Sequence, residues 1–479
     1  MAKHKVRVGL INLLQNEDAP PLNLVYLGTA LEKTGVCEAK IIDSTFSCLN
    51  IIRQIKELDL VGISSVTKYY PKACLIARSI KRVSNIPVCI GGSHITLMPS
   101  SLSRDFDFGV IGEGELTIAE LCKMLYKNGG FSSQILKEIP GLIYWQEDSL
   151  KYTQFRQPIE DLDFIPLPDY RLLDSRYFGK RWIIWDDTVG RSFKIFTSRG
   201  CPYNCIFCAS KQIWKTTRLH SAQRMFEEVR ILVKRYGVDH IYIDDDLFIL
   251  DKERLKSFSL LLQKHDLIGR VFFHCSARTN ILDDDMCLIL KEIGVKAVNF
   301  GFESGSDRVL KCLKGEGISV DYHKCAVLLC KRYGFKVWGS FMLGSPCETI
   351  EDMKKTQELI DFCIDQGCHK LGVFVATPFP GTLFWEIGLH RGTVSANMNW
   401  EELDYERCER PWLLHPSCPE SEFKRIFKET VAKADSMLRR HNLLMILRWR
   451  YKKILRRIIE NPLRMFNMLK NILLNRKIS

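Results

Sequence analysis

The 479-residue chain has no apolar run of the roughly 20 residues needed to span a bilayer, so an integral membrane protein is not expected. Its first ten residues alternate charged and apolar side chains and lack the apolar core of a secretory signal. Glycine and proline are not in excess, at 30 and 17 residues, which argues against disorder. The eighteen cysteines are therefore expected in a reducing cytoplasm, where clustered thiols are typically metal ligands.

Acidic residues are almost missing from residues 439–479, which hold twelve basic side chains and one acid, or +11 of the total charge of +13. Leu, Ile and Trp recur there at three- and four-residue steps, which predicts two short amphipathic helices that break near Pro462. Such a tail can lie on an anionic membrane surface. It can equally dock on the rest of the protein with a solvated basic face. Nucleic acid is disfavoured, because few aromatic side chains interleave with the charges.

Short apolar strands alternate with helical segments through residues 1–140. The strands are predicted over residues 6–13, 39–43, 60–64, 88–91 and 108–111. This pattern predicts a doubly wound domain with a parallel sheet, whose ligands bind at the carboxyl ends of the strands. The residues at those ends are candidate ligand contacts: Ser64, Gly91, Gly92, His94 and Gly112.

A second alternation follows a proline-containing connector over residues 141–190. Six strand–helix units over residues 191–395 predict a partial barrel of the parallel (β/α)6 type, with its chemistry at the strand ends. Residues 396–438 form an extension before the basic helical tail of residues 439–479. The fold class is therefore α/β, with a doubly wound domain, a partial TIM-type barrel and a tail.

Three cysteines lie within eight residues after the first barrel strand: Cys201, Cys205 and Cys208. Three soft thiolates on one loop are suited to an iron–sulfur cluster that keeps one iron free of protein ligands. Zinc would need a fourth ligand, and no second Cys-x-x-Cys or His pair follows at a suitable spacing. Other cysteines in helical segments, such as Cys312 and Cys330, are predicted to be small core residues.

The Cys-x-x-x-Cys-x-x-Cys spacing, with Phe207 before the last cysteine, resembles the signature of the radical S-adenosylmethionine superfamily. The resemblance implies a [4Fe-4S] cluster on Cys201, Cys205 and Cys208 that binds S-adenosylmethionine. It extends to the ends of later strands, where it implies cofactor contacts from Phe207, Asp244, Asp246, Arg278, Glu303 and Ser304. The acidic residues among these could instead cap the helices that follow them. The segment 344–349 resembles the family's Gly-x-Pro-Gly-Glu-Thr motif, with Cys347 in place of the second glycine.

The doubly wound domain in front of this barrel resembles the cobalamin-binding subgroup of the same superfamily. The usual Asp-x-His-x-x-Gly motif is missing, and residues 16–21 read Asn-Glu-Asp-Ala-Pro-Pro at the corresponding place. The resemblance implies cobalamin held without a histidine ligand, with contacts from Ser64, Gly91, Gly92, His94 and Gly112.

The subgroup resemblance, with the tail, predicts radical methylation of an unactivated carbon in a hydrophobic or membrane-derived small molecule, through a 5′-deoxyadenosyl radical. An electron donor such as flavodoxin or ferredoxin is implied, and the expected location is the cytoplasm or its membrane face. The alternatives are a ring-forming or rearranging enzyme of the same subgroup, with or without cobalamin, and a non-catalytic membrane-associated iron–sulfur protein.

Overall fold

The computed structural model describes residues 4–13, 20–43, 48–179, 182–183, 188–404 and 410–436. The predicted helices of residues 439–479 lie outside these ranges. Within the described part of the chain, no helix combines the length and the apolar character needed to cross a membrane. The α/β fold predicted from the sequence is confirmed: two parallel sheets, each with helices packed on it, follow one another along the chain.

The first sheet has seven strands in the order β2-β1-β3-β4-β5-β6-β7. Its strands are β1 Val6–Asn12, β2 Cys37–Asp43, β3 Leu60–Ser64, β4 Val88–Gly91, β5 Phe108–Val110, β6 Leu142–Gln146 and β7 Ser149–Tyr152. Its helices are α1 Leu22–Lys33, α2 Cys48–Ile55, α3 Tyr70–Lys81, α4 Ser93–Leu97, α5 Gly114–Asn128 and α6 Ser133–Leu136. Strands β1 to β5 are parallel, and the antiparallel hairpin β6–β7 from the predicted connector extends the sheet. The strand order changes direction between β1 and β3, and such a point opens a ligand crevice at the carboxyl ends.

After the hairpin β6–β7, the described part of the connector contains only short elements. Besides two 3-10 turns, they are α7 Arg176–Gly179, β8 Trp182–Ile183 and β9 Val189–Gly190. The two strands pair with each other in an antiparallel ribbon. The residue limits predicted for the domains stay predictions.

The second sheet has six parallel strands in sequence order, which is the arrangement expected of a partial barrel. Its strands are β10 Ser192–Ile195, β13 His240–Ile243, β14 Phe272–Ala277, β15 Val295–Glu303, β16 Lys336–Leu343 and β17 Lys370–Val375. A two-stranded ribbon, β11 Ser198–Arg199 and β12 Arg218–Leu219, follows β10. The helices are α8 Ser210–Trp214, α9 Ala222–Tyr236, α10 Lys252–Lys264, α11 Asp284–Ile293, α12 Asp307–Lys314, α13 Val320–Tyr333, α14 Ile350–Asp365 and α15 Leu383–His390. Residues 420–436 are also helical.

The ends of the barrel helices show why these residues form helices. The Ser221 hydroxyl accepts the Arg224 N–H at the start of α9, and Gly237 ends that helix in the left-handed region at φ 65°. Thr349 and Asp352 form a reciprocal capping box at the start of α14. These local caps fix where α9 begins and ends and where α14 begins.

The two sheets share a buried junction built around Glu228 on α9. Its carboxylate accepts hydrogen bonds from the Tyr26 hydroxyl of α1, at 2.8 and 2.9 Å, and from the Tyr170 hydroxyl at 2.6 Å. Arg224, one helical turn earlier, lies 3.3 Å from the same carboxylate. Leu22 and Val25 of α1 belong to the same hydrophobic cluster as the barrel core. The first domain is thus packed onto the barrel and not only tethered to it.

Candidate functional site

The cysteine loop begins at a tight backbone turn after β11. Gly200 has φ 87°, and a Cβ there would lie 2.6 Å from the carbonyl oxygen of Thr216, so only glycine is accommodated. Cys201, Cys205 and Cys208 follow before α8 begins at Ser210. The Ile206 N–H donates 2.9 Å to the carbonyl of Leu313 at the end of α12, which anchors the middle of the loop to the barrel.

The three loop cysteines are free thiols. Burial, together with nearby Asp246, Cys205 and Cys201, raises the pKa of Cys208 to about 11. The Arg278 guanidinium donates to the Cys205 sulfur at 3.5 Å, and the Ser210 N–H donates to the Cys208 sulfur at 3.5 Å. Among the described residues, no group of three or more His, Cys, Asp or Glu side chains is arranged to hold a metal ion.

The carboxylates after β13 have three different environments. Asp244 is about half exposed and forms an ion pair with Lys194 of β10 at 3.0 Å. Asp246 accepts a hydrogen bond from the Ser210 hydroxyl, next to the cysteine loop. Asp245, which the sequence analysis did not assign, is buried and accepts the N–H groups of Thr197 and Ser198 at 2.6 and 3.1 Å. Asp245 therefore fixes the backbone that leads into the cysteine loop.

Asp245 gives the fold a predictable pH dependence. Burial raises its pKa to about 6, above the usual value near 4. A folded pKa above the unfolded one stabilises the fold fully below about pH 4, and this contribution is lost as the pH rises through about 6. Asp245→Asn can keep the contacts to Thr197 and Ser198 without the charge. We therefore expect it to raise the free energy of unfolding at pH 7 by up to about 3 kcal/mol.

Urea unfolding between pH 4 and pH 7 measures this effect, because the variant should show a flatter dependence on pH than the wild type. Asp285→Asn is the control, since that carboxylate is 82% exposed. Equal pH slopes for Asp245→Asn and the wild type would contradict the prediction.

Arg278 and Glu303, at the ends of β14 and β15, converge with Lys314 of α12 beside the cysteine loop. The Arg278 guanidinium lies 3.9 Å from the centre of the Tyr203 ring and donates to the Lys314 carbonyl. Glu303 is a non-glycine residue with φ 66°, at a register shift between β15 and β16, and its carboxylate lies 3.4 Å from the Lys314 ammonium. Strained backbone at a strand end is typical of functional sites.

Two predicted contacts, Ser304 and Phe207, lie under this site. Ser304 is fully buried, its hydroxyl lies 3.3 Å from that of Thr356, and it accepts the Ser306 N–H. Phe207 packs on Phe384 of α15 with 6.2 Å between the ring centres. In the structure Ser304 is held by these hydrogen bonds and Phe207 by this ring contact.

A large cavity lies at the carboxyl ends of the first sheet, with about 1480 Å³ of empty space when its open mouth is included. Ser64, Gly91, Gly92 and Gly112 all line it, so the structure brings these four predicted residues together. Its floor is apolar and includes Leu10, Leu24, Leu60 and Ile118. Its far wall comes from the barrel and includes Phe196, Arg199 and Trp214.

His94 does not belong to this cavity, although the sequence analysis grouped it with the other strand-end residues. Its side chain is fully buried, 4.1 Å from the Tyr70 ring and 4.9 Å from the Trp400 ring, measured between ring centres. Its two ring nitrogens contact the hydroxyls of Thr67 and Ser101. Burial lowers its pKa to about 4. His94 is a neutral packed residue, and this corrects its assignment as a cofactor contact.

A second cavity borders the first and reaches the barrel interior, with about 910 Å³ of empty space including its mouth. Asn23, Ser64, Val66 and Phe196 line both cavities. The ion pair of Lys194 and Asp244 also lines the second one. The two cavities together form one path from the first sheet to the barrel.

A buried ion network joins the two domains and was missed by the sequence analysis. Arg199, two residues before Cys201, donates to Glu113 of the loop after β5 and to Glu115 in the first turn of α5. Arg218 lies 2.9 Å from the same Glu113. Burial alone would raise the pKa of Glu113, but Arg218 and Arg199 hold it below its usual value. The position of Arg199 beside the cysteine motif was the sequence signal that could have identified it.

Cys312, predicted from the sequence to be a small core residue, has a different role in the structure. It forms a disulfide with Cys347, which links α12 to the loop after β16. Cys330 is buried and free, as predicted. The bond therefore joins two parts of the barrel. One is α12, whose Leu313 carbonyl accepts the Ile206 N–H, and the other is the segment 344–349, which resembles the family's Gly-x-Pro-Gly-Glu-Thr motif.

Two family models match the chain in the order of its domains. The model of the B12 binding domain matches residues 11–122. The model of the radical SAM superfamily matches residues 195–360. The first range includes the strand ends that line the large cavity, and the second includes the cysteine loop.

Curated relatives cover most of the chain. It is 34% identical over 393 residues to an uncharacterized methyltransferase of Pyrococcus horikoshii, covering 80% of this chain and 81% of the relative. It is 25% identical to the cytidylyl-2-hydroxyethylphosphonate methyltransferase of Streptomyces wedmorensis, covering 81% of each chain.

Among solved structures, the radical S-adenosylmethionine methyltransferase TsrM of Kitasatospora setae, with cobalamin and a [4Fe-4S] cluster bound, is similar over 90% of this chain and 89% of its own. The TM-score is 0.69 at 18% identity, so this likeness concerns the fold.

Proposed function

The chain belongs to the radical S-adenosylmethionine methyltransferases that carry a B12-binding domain, and from this premise we propose that it methylates an unactivated carbon of a hydrophobic small molecule. The observation that carries the proposal is the continuity of the two cavities. Val66 and Phe196 line both, so a substrate in the second cavity would face the first-sheet cavity on one side and the barrel strand ends at Lys194 and Asp244 on the other.

The donor chemistry of the cysteine loop suits an iron–sulfur cluster. Cys201, Cys205 and Cys208 are free thiols on one short loop, and Arg278 already donates to one of them. A cluster of several irons accepts thiolates spread over a wider space than one ion does. These three residues would hold the cluster, and the family's remaining iron would stay open to S-adenosylmethionine.

The large cavity suits a corrinoid. Its apolar floor at Leu10, Leu60 and Ile118 can take a flat heterocyclic base, and the rim at Gly91 and Gly112 leaves room for a macrocycle. A Cβ on Gly112 would meet no atom within 4 Å, which confirms open space at the rim. The described residues that the first domain contributes to the lining include no histidine. These residues would therefore hold cobalamin through packing and rim hydrogen bonds.

The remaining assignments concern S-adenosylmethionine. Arg278 and Glu303 would hold its charged methionine and ribose groups, with Asp244 and Asp246 at the neighbouring strand end. When bound, the three cofactors supply a 5′-deoxyadenosyl radical and a transferable methyl group. The residues of the chain position the reactants: Asp245 fixes the backbone before Arg199, and Lys314 holds the Glu303 carboxylate. The apolar side chains of Val66 and Phe196 would exclude water from the space between them.

The experiment is an anaerobic turnover with methyl-labelled S-adenosylmethionine, hydroxocobalamin, a total lipid extract as substrate pool and a chemical reductant. Methylation predicts S-adenosylhomocysteine, 5′-deoxyadenosine and label in an extracted product. Omission of hydroxocobalamin is the control and should remove the labelled product. Deoxyadenosine alone, with an unlabelled product that has lost hydrogen, would contradict methylation and favour ring formation.

A membrane-derived substrate is the finer part of the proposal, and it rests on the basic tail. Residues 439–479 would bind anionic lipid at the cytoplasmic membrane face, since each Lys or Arg near such a surface contributes about 1 kcal/mol. Deletion of residues 439–479 should abolish sedimentation with phosphatidylglycerol vesicles. Phosphatidylcholine vesicles are the control, and unchanged sedimentation of the deletion variant would contradict the membrane part of the proposal alone.

An electron donor such as flavodoxin or ferredoxin would supply the electron for cleavage of S-adenosylmethionine.

A further inference from the structure

Arg278 is the one side chain in the described ranges that hydrogen-bonds to a sulfur of the cysteine loop. Its guanidinium donates to the Cys205 sulfur at 3.5 Å. The Cys208 sulfur accepts a backbone N–H instead, that of Ser210, also at 3.5 Å. A backbone donor is present whichever side chain its residue carries, whereas the contact to Cys205 depends on the side chain at position 278. One substitution can therefore remove it.

The Arg278 guanidinium is fixed on several sides. Its Nε donates to the side-chain oxygen of Asn280 at 3.0 Å, and one terminal nitrogen donates to the Lys314 carbonyl at 3.3 Å. Its central carbon lies 3.9 Å from the centre of the Tyr203 ring. These contacts come from the barrel and from the cysteine loop itself, and together they hold the cation beside the Cys205 sulfur.

The charge of Arg278 is buried and has no carboxylate partner among the described residues, since its acceptors are an amide oxygen, a sulfur and a carbonyl. The residue is 8% exposed. Glu303, at the end of the neighbouring strand, pairs with Lys314 instead, at 3.4 Å. Asp246, the acid next to the cysteine loop, accepts a hydrogen bond from the Ser210 hydroxyl. In a site of low dielectric, a charge acts on its neighbours more strongly than in water.

We infer that Arg278 raises the reduction potential of the cluster on Cys201, Cys205 and Cys208, and so makes the first electron transfer of the reaction easier. Reduction of a [4Fe-4S]²⁺ cluster to [4Fe-4S]⁺ takes one electron from the donor and neither forms nor breaks a bond. The potential of a cluster depends on hydrogen bonds to its sulfurs and on the net charge, and a donor cation stabilises the added negative charge. The inference rests on the cluster assignment of the proposed function and goes beyond it, because the effect needs neither S-adenosylmethionine nor substrate.

The test is a redox titration of the full-length protein with its reconstituted cluster, in the absence of S-adenosylmethionine. Low-temperature EPR of the reduced cluster measures its potential, and iron content measures how much cluster is bound. We expect Arg278→Met to lower the equilibrium constant for reduction at least about tenfold, a shift of about 59 mV to more negative potential for one electron. Arg278→Lys keeps the charge and should recover most of this shift.

A second variant, Asn280→Ala, decides the test if Arg278→Met takes up less iron than the wild type. Asn280→Ala keeps the guanidinium but removes the acceptor of its Nε, so the cation is held less firmly beside the Cys205 sulfur. The potential should shift in the same direction, by less than for Arg278→Met. An unchanged potential in Asn280→Ala would then overturn the inference.

The matched control is Arg235→Met, since Arg235 also lies over an aromatic ring, 5.6 Å from the centre of Tyr236. It lies at the end of α9, and so at the opposite end of the barrel strands from the cysteine loop. The cluster of this variant should have the wild-type potential. A wild-type potential in fully loaded Arg278→Met, or an equal shift in Arg278→Lys, would overturn the inference.

The titration also separates this inference from the proposed function. A potential shift in a protein that does not methylate would contradict only the proposed methylation. Methylation without a potential shift would contradict only the inference, and a wild type that binds no cluster would overturn both.

Discussion

Replacement of Cys205 by serine is expected to abolish reductive cleavage of S-adenosylmethionine. Cys205 is the central thiol of the loop, and its sulfur accepts a hydrogen bond from Arg278. Serine offers a hard, protonated oxygen in place of a soft thiolate, which leaves two ligands for the cluster. The expected loss of cleavage activity is at least roughly 10³-fold. Even a change of a residue that only supports a metal ligand lowers metal affinity or activity 10- to 100-fold, and Cys205 would be a ligand itself.

Three measurements check this expectation after anaerobic reconstitution: iron and sulfide content, visible absorption, and 5′-deoxyadenosine yield. The control is Cys325→Ser, since Cys325 is an exposed free cysteine on α13. That variant should keep full iron content and full cleavage. A Cys205→Ser protein that retains its iron and its cleavage activity would overturn the assignment of the cluster to this loop.

The second large effect is expected from Arg199→Met, which should destabilise the protein by about 3–5 kcal/mol and release cobalamin. The Arg199 side chain is 13% exposed, and its partners Glu113 and Glu115 are 7% and 11% exposed. Without the guanidinium, Glu115 has lost its ion-pair partner and Glu113 retains only Arg218. Since Arg199 also forms part of the cavity wall, repulsion between the carboxylates would open the contact between the two domains.

Urea unfolding and retention of cobalamin on gel filtration measure these two consequences. Arg199 lies 5.3 Å from the centre of the Trp214 ring. Arg104→Met is a matched control, because Arg104 likewise lies over a tryptophan and pairs with a carboxylate, but at the surface. Its effect should stay below about 1 kcal/mol, as for other exposed ion pairs. Equal unfolding midpoints for the two variants would show that the buried network does not hold the domains together.

The parts of the fold that sequence predicts best are those with a local cause. Strands Leu60–Ser64 and Val88–Gly91 were predicted with the limits that the structure shows, because they are short apolar runs bounded by polar or turn-forming residues. Helix Ala222–Tyr236 carries comparable local signals, since Ser221 and Gly237 mark its two ends. Periodicity and capping act over a few residues, and the printed sequence shows both.

The parts of the site that sequence missed depend on distant contacts. Arg199 and Glu113 are 86 residues apart in the chain, and nothing local connects them. Among three successive aspartates, the turn after β13 decides that Asp245 is the buried one, while Asp244 faces the barrel. His94 shares its loop with two glycines of the cavity, yet the short helix α4 turns it toward Tyr70 and Trp400. Tertiary packing, which the pattern of a single sequence does not contain, determines the Arg199–Glu113 contact, the burial of Asp245 and the orientation of His94.

The junction at Glu228 also affects the protein during its synthesis. Tyr26 is separated by 202 residues from the carboxylate that accepts its hydrogen bond. At about 5–20 residues per second, the ribosome needs roughly 10–40 s to make the intervening chain. During that time Leu22, Val25 and Tyr26 of α1 have no barrel core to pack against. The nascent first domain therefore exposes an apolar helix face long enough for chaperones to bind it.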